Sequence, residues 1–433
     1  MTMNRSYSKD IQKAKVGSAV ELAGWAAVIK VLGKIAFVKL RDREGEVQLV
    51  ASNKKLINSL KDLTHESVIY AKGKVRQSKL KSGGNEVELQ KFEVLSKADA
   101  NLPIDMSGKI PTDLSKRLNW RVLDLRSSKK YAIFKLRSAM NYYIREYLQQ
   151  NNFIEMQTPK IVGSGAEGGA TLFSLDYYGK KAYLSQSQQL YKQMLLAAGL
   201  DKVYEIGPAF RAEKSHTMRH LAEFTQFDFE MAFLKDENNI MKIIEDMFVF
   251  VLKKLNAHNK YELETLGINL NVPKVPFPKV TYESALKLLA KEGIKIKKGD
   301  DIGTEDEKKL GDLIEKKYKT KAYFITKFPF GIKPFYIMKD GKTYSKAFDF
   351  EYNGEELASG GQREHNYEKL ASQIKEKGLN VKDFEDYLNT FKFGTPAHGG
   401  FGLGIDRMVK NILNLDNIRE AVLFPRDPER LSP

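Results

Sequence analysis

Residues 207–233 read GPAFRAEKSHTMRHLAEFTQFDFEMAF. Val203, Glu205 and Gly207 alternate on the way in, and Phe227, Phe229 and Met231 alternate on the way out. That period of two predicts a pair of strands. The polar segment Glu213 to Arg219 between them reads as a hairpin loop longer than a tight turn. Arg211, Glu213, Arg219, His220, Glu223, Phe224 and Asp228 all fall within eighteen residues. Two arginines, a carboxylate and an aromatic ring on one hairpin suit an anionic ligand with a flat ring, of which ATP is the obvious case.

Three further clusters share the chain with this hairpin. Gly163-Ser164-Gly165-Ala166-Glu167-Gly168-Gly169-Ala170 lets backbone amides approach a ligand, and Glu167 is its only charge. In Ser185–Gln193, SQSQQLYKQ, Gln189 and Lys192 stand three apart and share a face if the segment opens a helix. Glu356–His365, ELASGGQREH, is followed later by the glycine-rich run His398–Arg407, HGGFGLGIDR. Alone, each has an ordinary structural reading: a turn, a solvated lysine, a hydrogen-bonded histidine, a core phenylalanine. Their occurrence together, in this order, points to a site.

On the N-terminal side, residues 16–97 read as five short strands, with a small helix at Lys54–Leu63 after the third. That is the pattern of an OB-fold, a barrel that often binds single-stranded nucleic acid. Asn101–Leu123 is a polar connector with prolines at 103 and 111. Tyr131–Gln150 is an amphipathic helix, with Ile133, Leu136, Met140, Tyr143, Ile144, Tyr147 and Leu148 at helical spacing. Pro159 should end a strand or sit on an edge. The remainder is mixed α/β, with strand-like pieces at 203–210, 224–233, 346–352, 355–359 and 400–404. Residues 275–330 read as an inserted helical subdomain, with KVTYESALKLLAKEG as one amphipathic helix.

Composition bounds the rest. A chain of 433 residues is long enough for two or three domains. Lys plus Arg number 71 against 55 acids, a formal +16 that favours a polyanionic partner without establishing one. There is no cysteine, which excludes disulfides, thiolate metal sites and a thiol nucleophile. No apolar run reaches transmembrane length and the N-terminus has no apolar core, so the expectation is a cytoplasmic protein with no membrane partner.

Taken together, these motifs resemble those of the class IIb aminoacyl-tRNA synthetases, and within them the aspartyl-tRNA synthetases of archaeal and eukaryotic type. Asn141–Pro159 resembles motif 1, residues 207–233 motif 2 and residues 399–407 motif 3; the C-terminal REAVLFPRDPERLSP resembles the family's usual end. The resemblance covers essentially the whole chain. It implies an α+β protein: an OB-fold anticodon-binding domain at 1–100, a hinge at 101–125, and a class II catalytic domain at 126–433, an antiparallel sheet flanked by helices, with the insertion at about 275–330. It implies a homodimer through motif 1.

The family's roles fall on this sequence as follows. Arg211 would bind the α-phosphate of ATP, Arg407 the γ-phosphate and Glu213 the adenine amino group, with Phe224 stacked on the adenine. Arg219 and His220 would lie beside the phosphates or the tRNA end. Glu356 and Ser359 match the ligands of Mg²⁺. Glu167, Gln189 and Asp228 match residues near the substrate's ammonium and backbone carboxylate, with Ser359 and Gly360 alongside. Arg363 would pair the β-carboxylate of L-aspartate with its planar fork, and Lys192 would add a second cation. In the barrel, Phe37 would stack on an anticodon base, Gln48 would hydrogen-bond a base edge, and Glu86 or Glu88 would help read the third position. The implied reaction is aspartyl-adenylate formation, then transfer to tRNA(Asp), with tRNA(Asn) as a second acceptor left open.

Two departures bear on specificity. Lys214-Ser215 resembles the asparaginyl branch, and Ala26-Ala27 replace larger residues after the barrel tryptophan. Lys192 and Arg363 favour aspartate over the alternative, an asparaginyl-tRNA synthetase. A paralogue making free asparagine and a non-catalytic RNA-binding scaffold are the other readings. The barrel counts against the first, and the retained Arg211, Glu213, Glu356, Ser359 and Arg407 count against the second.

Overall fold

The computed structural model describes residues 5–79, 83–106, 108–163, 165, 172–212 and 218–433. The chain forms two compact units, Met1–Ser128 and Lys129–Pro433.

In the first unit, five strands (Ala19–Leu32, Ile35–Asp42, Gly45–Ala51, Val68–Gln77 and Asn85–Ser96) close into a barrel. All neighbours pair antiparallel except Gly45–Ala51 with Asn85–Ser96. Alternation decides what goes inside: Ala36, Val38 and Leu40 point inward with Leu22, Leu49 and Ile69. Phe37 and Lys39 therefore fall on the outer face. The helix Lys54–Lys61 follows the third strand, and the Asn53 side chain caps it by accepting from Lys55 N. The connector, polar in sequence, is not featureless. It holds two short helices, Leu114–Asn119 and Arg121–Asp124, the first capped by the Asp113 carboxylate.

The second unit is built on an eight-stranded sheet. Its order is Lys279–Thr281, Ala322–Thr326, Ala347–Tyr352, Glu355–Gln362, His398–Gly404, Glu223–Ala232, Lys202–Phe210 and Ile154–Glu155. The pairings are antiparallel through the middle and parallel at both edges. One face is greasy: Phe227, Phe229, Phe401, Phe348 and Phe350 pack under Leu136, Met140 and Ile144 of the helix Ser128–Gln150. The helix Asn238–His258 adds Ile244, Phe248 and Val251 to the same core. Burying these rings supplies the main driving force, about 1.5–3 kcal/mol per side chain. The opposite face of the same strands is polar, because Gln226, Asp228 and Glu230 alternate with Phe227 and Phe229.

At its centre the sheet needs glycine. A Cβ at Gly400 would strike the Phe229 carbonyl and the Glu230 carboxylate at the same time. The 275–330 region corrects the sequence expectation. Its helices, Tyr282–Lys291 and Thr304–Tyr318, are present, but Lys279–Thr281 and Ala322–Thr326 extend the main sheet. The segment is the sheet's own edge, not a purely helical insert, and the first three residues of KVTYESALKLLAKEG are strand. Thr281 marks the switch, its hydroxyl accepting from Ser284 N. Among the described residues no helix is long and apolar enough to cross a membrane.

Candidate active site

The strands Lys202–Phe210 and Glu223–Ala232 form the expected hairpin, with Phe210 opposite Glu223. Glu213 and the Lys214-Ser215 departure lie outside the described residues, as does Glu167. The hairpin's polar face opens onto a cavity of about 330 Å³. Arg211, Arg219, His220 and Phe224 from the hairpin line it, together with Glu356, Ser359, Gly360 and Arg363 from one strand and its extension, and Arg407. Residues spread over nearly 200 positions thus meet in one space, as the sequence predicts.

At one end the cavity is cationic. The Arg211 guanidinium carbon sits 5.3 Å from the Phe224 ring centroid, flanking a slot suited to a flat ring beside an anion. Arg407 Nη1 donates to the Glu356 carbonyl at 2.7 Å, which fixes the arginine while its side chain stays a quarter exposed. The helix that carries Arg407, Ile405–Ile412, is pinned at its start. Asp406 accepts from Arg137 and, at 2.8 Å, from Thr225 N. Arg219 is tied differently from the expectation: its Nη1 pairs with Glu307 at 2.8 Å, on the helix Thr304–Tyr318. Glu307 escaped sequence reasoning because it lies in the segment read as a separate insert.

An acidic wall adjoins this end. Ser359 Oγ donates to Asp349 Oδ1 at 2.6 Å, across the paired strands that set Asp349 opposite Ser359. Lys333 Nζ holds the same carboxylate at 2.6 and 2.9 Å. Burial, then the nearby Asp349 charge, pushes the Glu356 carboxyl up. Burial and the neighbouring Glu307 and Glu356 raise Glu351 further, and its Oε2 has no hydrogen-bond partner among the described residues. Crowded carboxyls around a hydroxyl are a hard-oxygen set that a divalent cation would relieve. Asp349 and Glu351 were not anticipated. The described residues contain no cluster of three ligating side chains, so a cation here would draw on other oxygens as well.

The other end holds the specificity candidates. Arg363 is buried, and its Nε and Nη2 form a two-point ion pair with Glu230 at 2.8 and 3.0 Å. Nη2 also donates to Gln189 Oε1 at 3.3 Å. Nη1 makes no hydrogen bond among the described residues. Lys192 shares the helix Gln189–Ala197 with Gln189, as its spacing predicts, but does not line the cavity. Its ammonium is wholly buried, 2.8 Å from Asp228 Oδ1, 3.0 Å from the Phe401 carbonyl and 3.3 Å from Glu230 Oε2.

The expectation of two cations open to a substrate is therefore revised. Each already faces a buried acid, and only Arg363 reaches the cavity. Burial pushes the Glu230 carboxyl up, but Arg363 and Lys192 more than offset this and hold it below the ordinary range. Asp228 Oδ2 is buried without a partner among the described residues, and its residue lines the cavity, where it can accept from a cation. Glu230 was missed. Its signal was the alternation Gln226, Asp228, Glu230, which puts it on the face of residues already singled out.

On the barrel, Phe37 is half-buried and Gln48 stands opposite Lys39 on the outer face. Gln48 Nε2 donates to Glu86 Oε2 at 2.7 Å, and Arg76 holds Glu86 Oε1 at 2.8 Å. Glu86 itself is buried, with both oxygens engaged, so it orients Gln48 and Arg76 instead of presenting its own carboxylate.

Residues 113–428 match the family described as tRNA synthetases class II (D, K and N), and residues 20–95 match the OB-fold nucleic acid binding domain. The chain is 46% identical over 433 residues to an aspartate–tRNA(Asp) ligase of Pyrococcus horikoshii, covering 99% of both chains. It is 46% identical over 432 residues to an aspartate–tRNA(Asp/Asn) ligase of Methanopyrus kandleri, again covering 99% of both. Among solved structures, the asparaginyl-tRNA synthetase from Pyrococcus horikoshii complexed with asparaginyl-adenylate superposes with a TM-score of 0.92. That match is 33% identical and covers 100% of both chains.

Proposed function

We propose, for a chain that belongs to the class II (D, K and N) tRNA synthetases, the activity of an aspartate–tRNA ligase. Relatives bearing that name match it from end to end at 40–46% identity. The observation that carries the reading is one cavity with Arg211, Phe224 and Arg407 at one end and the Glu230-held Arg363 at the other. Such a cavity holds a nucleotide and an acidic amino acid together, which is what adenylate formation requires.

In this reading the α-carboxylate of aspartate attacks the α-phosphorus of ATP, and the bond to pyrophosphate breaks. Arg211 takes up the charge that develops on the α-phosphate, Arg407 holds the γ-phosphate, and Phe224 stacks on adenine. His220 and Arg219 close the phosphate end. Asp228 receives the substrate ammonium beside Gln189, with Ser359 and Gly360 at the adjoining wall, while Arg363 Nη1 receives the β-carboxylate; Glu167 would assist at the ammonium. Lys192 holds Asp228 and Glu230 from behind. The tRNA 3′-hydroxyl then attacks the mixed anhydride and releases AMP. No protein nucleophile is needed, because the work is positioning and charge stabilisation. Glu356 and Ser359, backed by Asp349, would hold Mg²⁺, which would supply positive charge against that of the nucleotide's phosphates. Glu213 would meet the adenine amino group.

The barrel reads the anticodon through Phe37 and Gln48, with Glu86 behind them. A homodimer, the arrangement motif 1 implies, is supported by Tyr142 and Ile154. These stand 63% and 51% exposed on the first helix and edge strand of the second unit. A monomeric mass at working concentration would overturn it. A cytoplasmic location would suit ATP and tRNA as substrates.

Asparagine is the competing substrate. The balance of Lys192 and Arg363 against Asp228 and Glu230 favours it, since the pocket carries no excess of positive charge. Pyrophosphate exchange with each amino acid, followed by charging of separate aspartate and asparagine tRNA transcripts, decides. Exchange with aspartate and charging of tRNA(Asp) are expected. Exchange with asparagine alone would sink the reading, and charging of both transcripts would mark relaxed tRNA recognition.

A further inference from the structure

Behind Gln189 runs a chain of hydrogen bonds whose other members, Gln193, Tyr387 and His398, do not line the cavity. His398 Nδ1 lies 2.8 Å from the Pro396 carbonyl, which can only accept, so the ring proton sits on Nδ1. Burial pushes the His398 pKa down to about 4, which leaves the ring neutral and Nε2 an acceptor. Gln193 Nε2 donates to that nitrogen at 2.9 Å, so the other end of the Gln193 amide is its oxygen. This oxygen receives two donors, the Tyr387 hydroxyl at 3.0 Å and Gln189 Nε2 at 2.9 Å. Burial keeps the Tyr387 phenol protonated and hence a donor. Each amide orientation follows from the one before it, beginning at a backbone carbonyl that cannot change its role.

The last link decides the polarity of the pocket. With its NH₂ committed to Gln193, Gln189 must turn its oxygen to Arg363 Nη2. A flipped Gln189 would set donor against donor at the guanidinium and oxygen against oxygen at Gln193. We propose that Gln193 and Tyr387 are positioning residues for amino-acid selection. Together with His398 they lock the Gln189 amide, which with Glu230 fixes the Arg363 plane and leaves Nη1 for a β-carboxylate. The proposal rests on the aspartate reading above. Gln193, Tyr387 and His398 are all buried and none lines the cavity, so none is a substrate ligand.

Pyrophosphate exchange on the full-length protein tests it, using Gln193→Leu, Tyr387→Phe, Gln189→Leu and the two doubles that combine Gln189→Leu with each of the others. Gln193→Leu should raise the KM for aspartate about tenfold and Tyr387→Phe about threefold, with the KM for ATP changed less than about twofold. In the Gln189→Leu background, neither further substitution should move the aspartate KM by more than about twofold, because the link is already cut. Additive effects would overturn the proposal, as would parallel losses for ATP and aspartate, or unchanged aspartate KM in both single variants. Tyr387→Phe conserves volume, so its cycle stands if Gln193→Leu does not fold. Wild-type protein that exchanges with asparagine and not aspartate would remove the substrate reading itself. Aspartate exchange with additive cycles would remove only the positioning.

Discussion

At the residue scale, the amino-acid end of the cavity is an exercise in buried charge. Lys192 and Arg363 face Asp228 and Glu230, and all four side chains are buried. Removing one partner strands its neighbours, so Lys192→Met should cost about 3–5 kcal/mol of stability. In the protein that remains folded, aspartate KM should rise much more than ATP KM. Equal losses for both substrates would make the role of Lys192 structural only, and unchanged denaturant midpoints would contradict the buried-charge argument. His398 makes a pH prediction of defined sign. Its folded pKa, about 4, lies below the ordinary 6.5. Between those values the unfolded chain binds a proton that the folded chain refuses, so stability is complete above pH 6.5 and falls as pH falls toward 4. The loss reaches up to about 3 kcal/mol. His398→Gln cannot titrate there and should flatten that slope; identical urea midpoints for the two proteins at both pH 7 and pH 4.5 would contradict the assignment.

At the scale of elements, the hairpin is held where it leaves its loop. Arg219 grips Glu307 of the helix Thr304–Tyr318, so an edge segment of the sheet steadies the hairpin that carries Arg211 and Phe224. Glu307→Ala should loosen that exit and raise the KM for ATP about three- to tenfold, leaving the KM for aspartate near its original value. Unchanged ATP kinetics would leave the contact as surface trim. This grip also marks where sequence reading stopped. The hairpin, the Gln189 helix and the glycine-rich strand were legible because each carries its period and its chemistry within about ten residues. Glu307 sits some 90 positions from Arg219, in a stretch whose helical period is clear but whose partner is not written locally. The strands Lys279–Thr281 and Ala322–Thr326 are short, and a helix beside each masks the alternation. Glu230 was readable in principle, two residues after Asp228 on one face. Its role was not, because ion pairing with Arg363 joins strands that touch only through a third one, His398–Gly404.

At the scale of the whole molecule, the proposed function assigns one task to each unit, and that division would have a measurable signature. On that reading adenylate formation would need only the second unit's cavity, whereas recognition of a tRNA would draw on the proposed barrel face around Phe37 and Gln48 and on the chain's formal +16. Gln48 is held by Glu86, itself fixed by Arg76, so Gln48→Ala would remove the proposed base contact and change no residue of the second unit. Aminoacylation of tRNA(Asp) should then fall about tenfold in kcat/KM, through KM for tRNA, while pyrophosphate exchange stays unchanged. Salt should separate the two activities in the same way. Each phosphate neutralised by Lys or Arg releases counterions, so the KM for tRNA should climb steeply between roughly 50 and 200 mM salt. Exchange with ATP and aspartate involves no such polyanion and should respond weakly. If Gln48→Ala or added salt depressed exchange as strongly as charging, the barrel would have to act on the catalytic cavity itself. The division of labour would then fail.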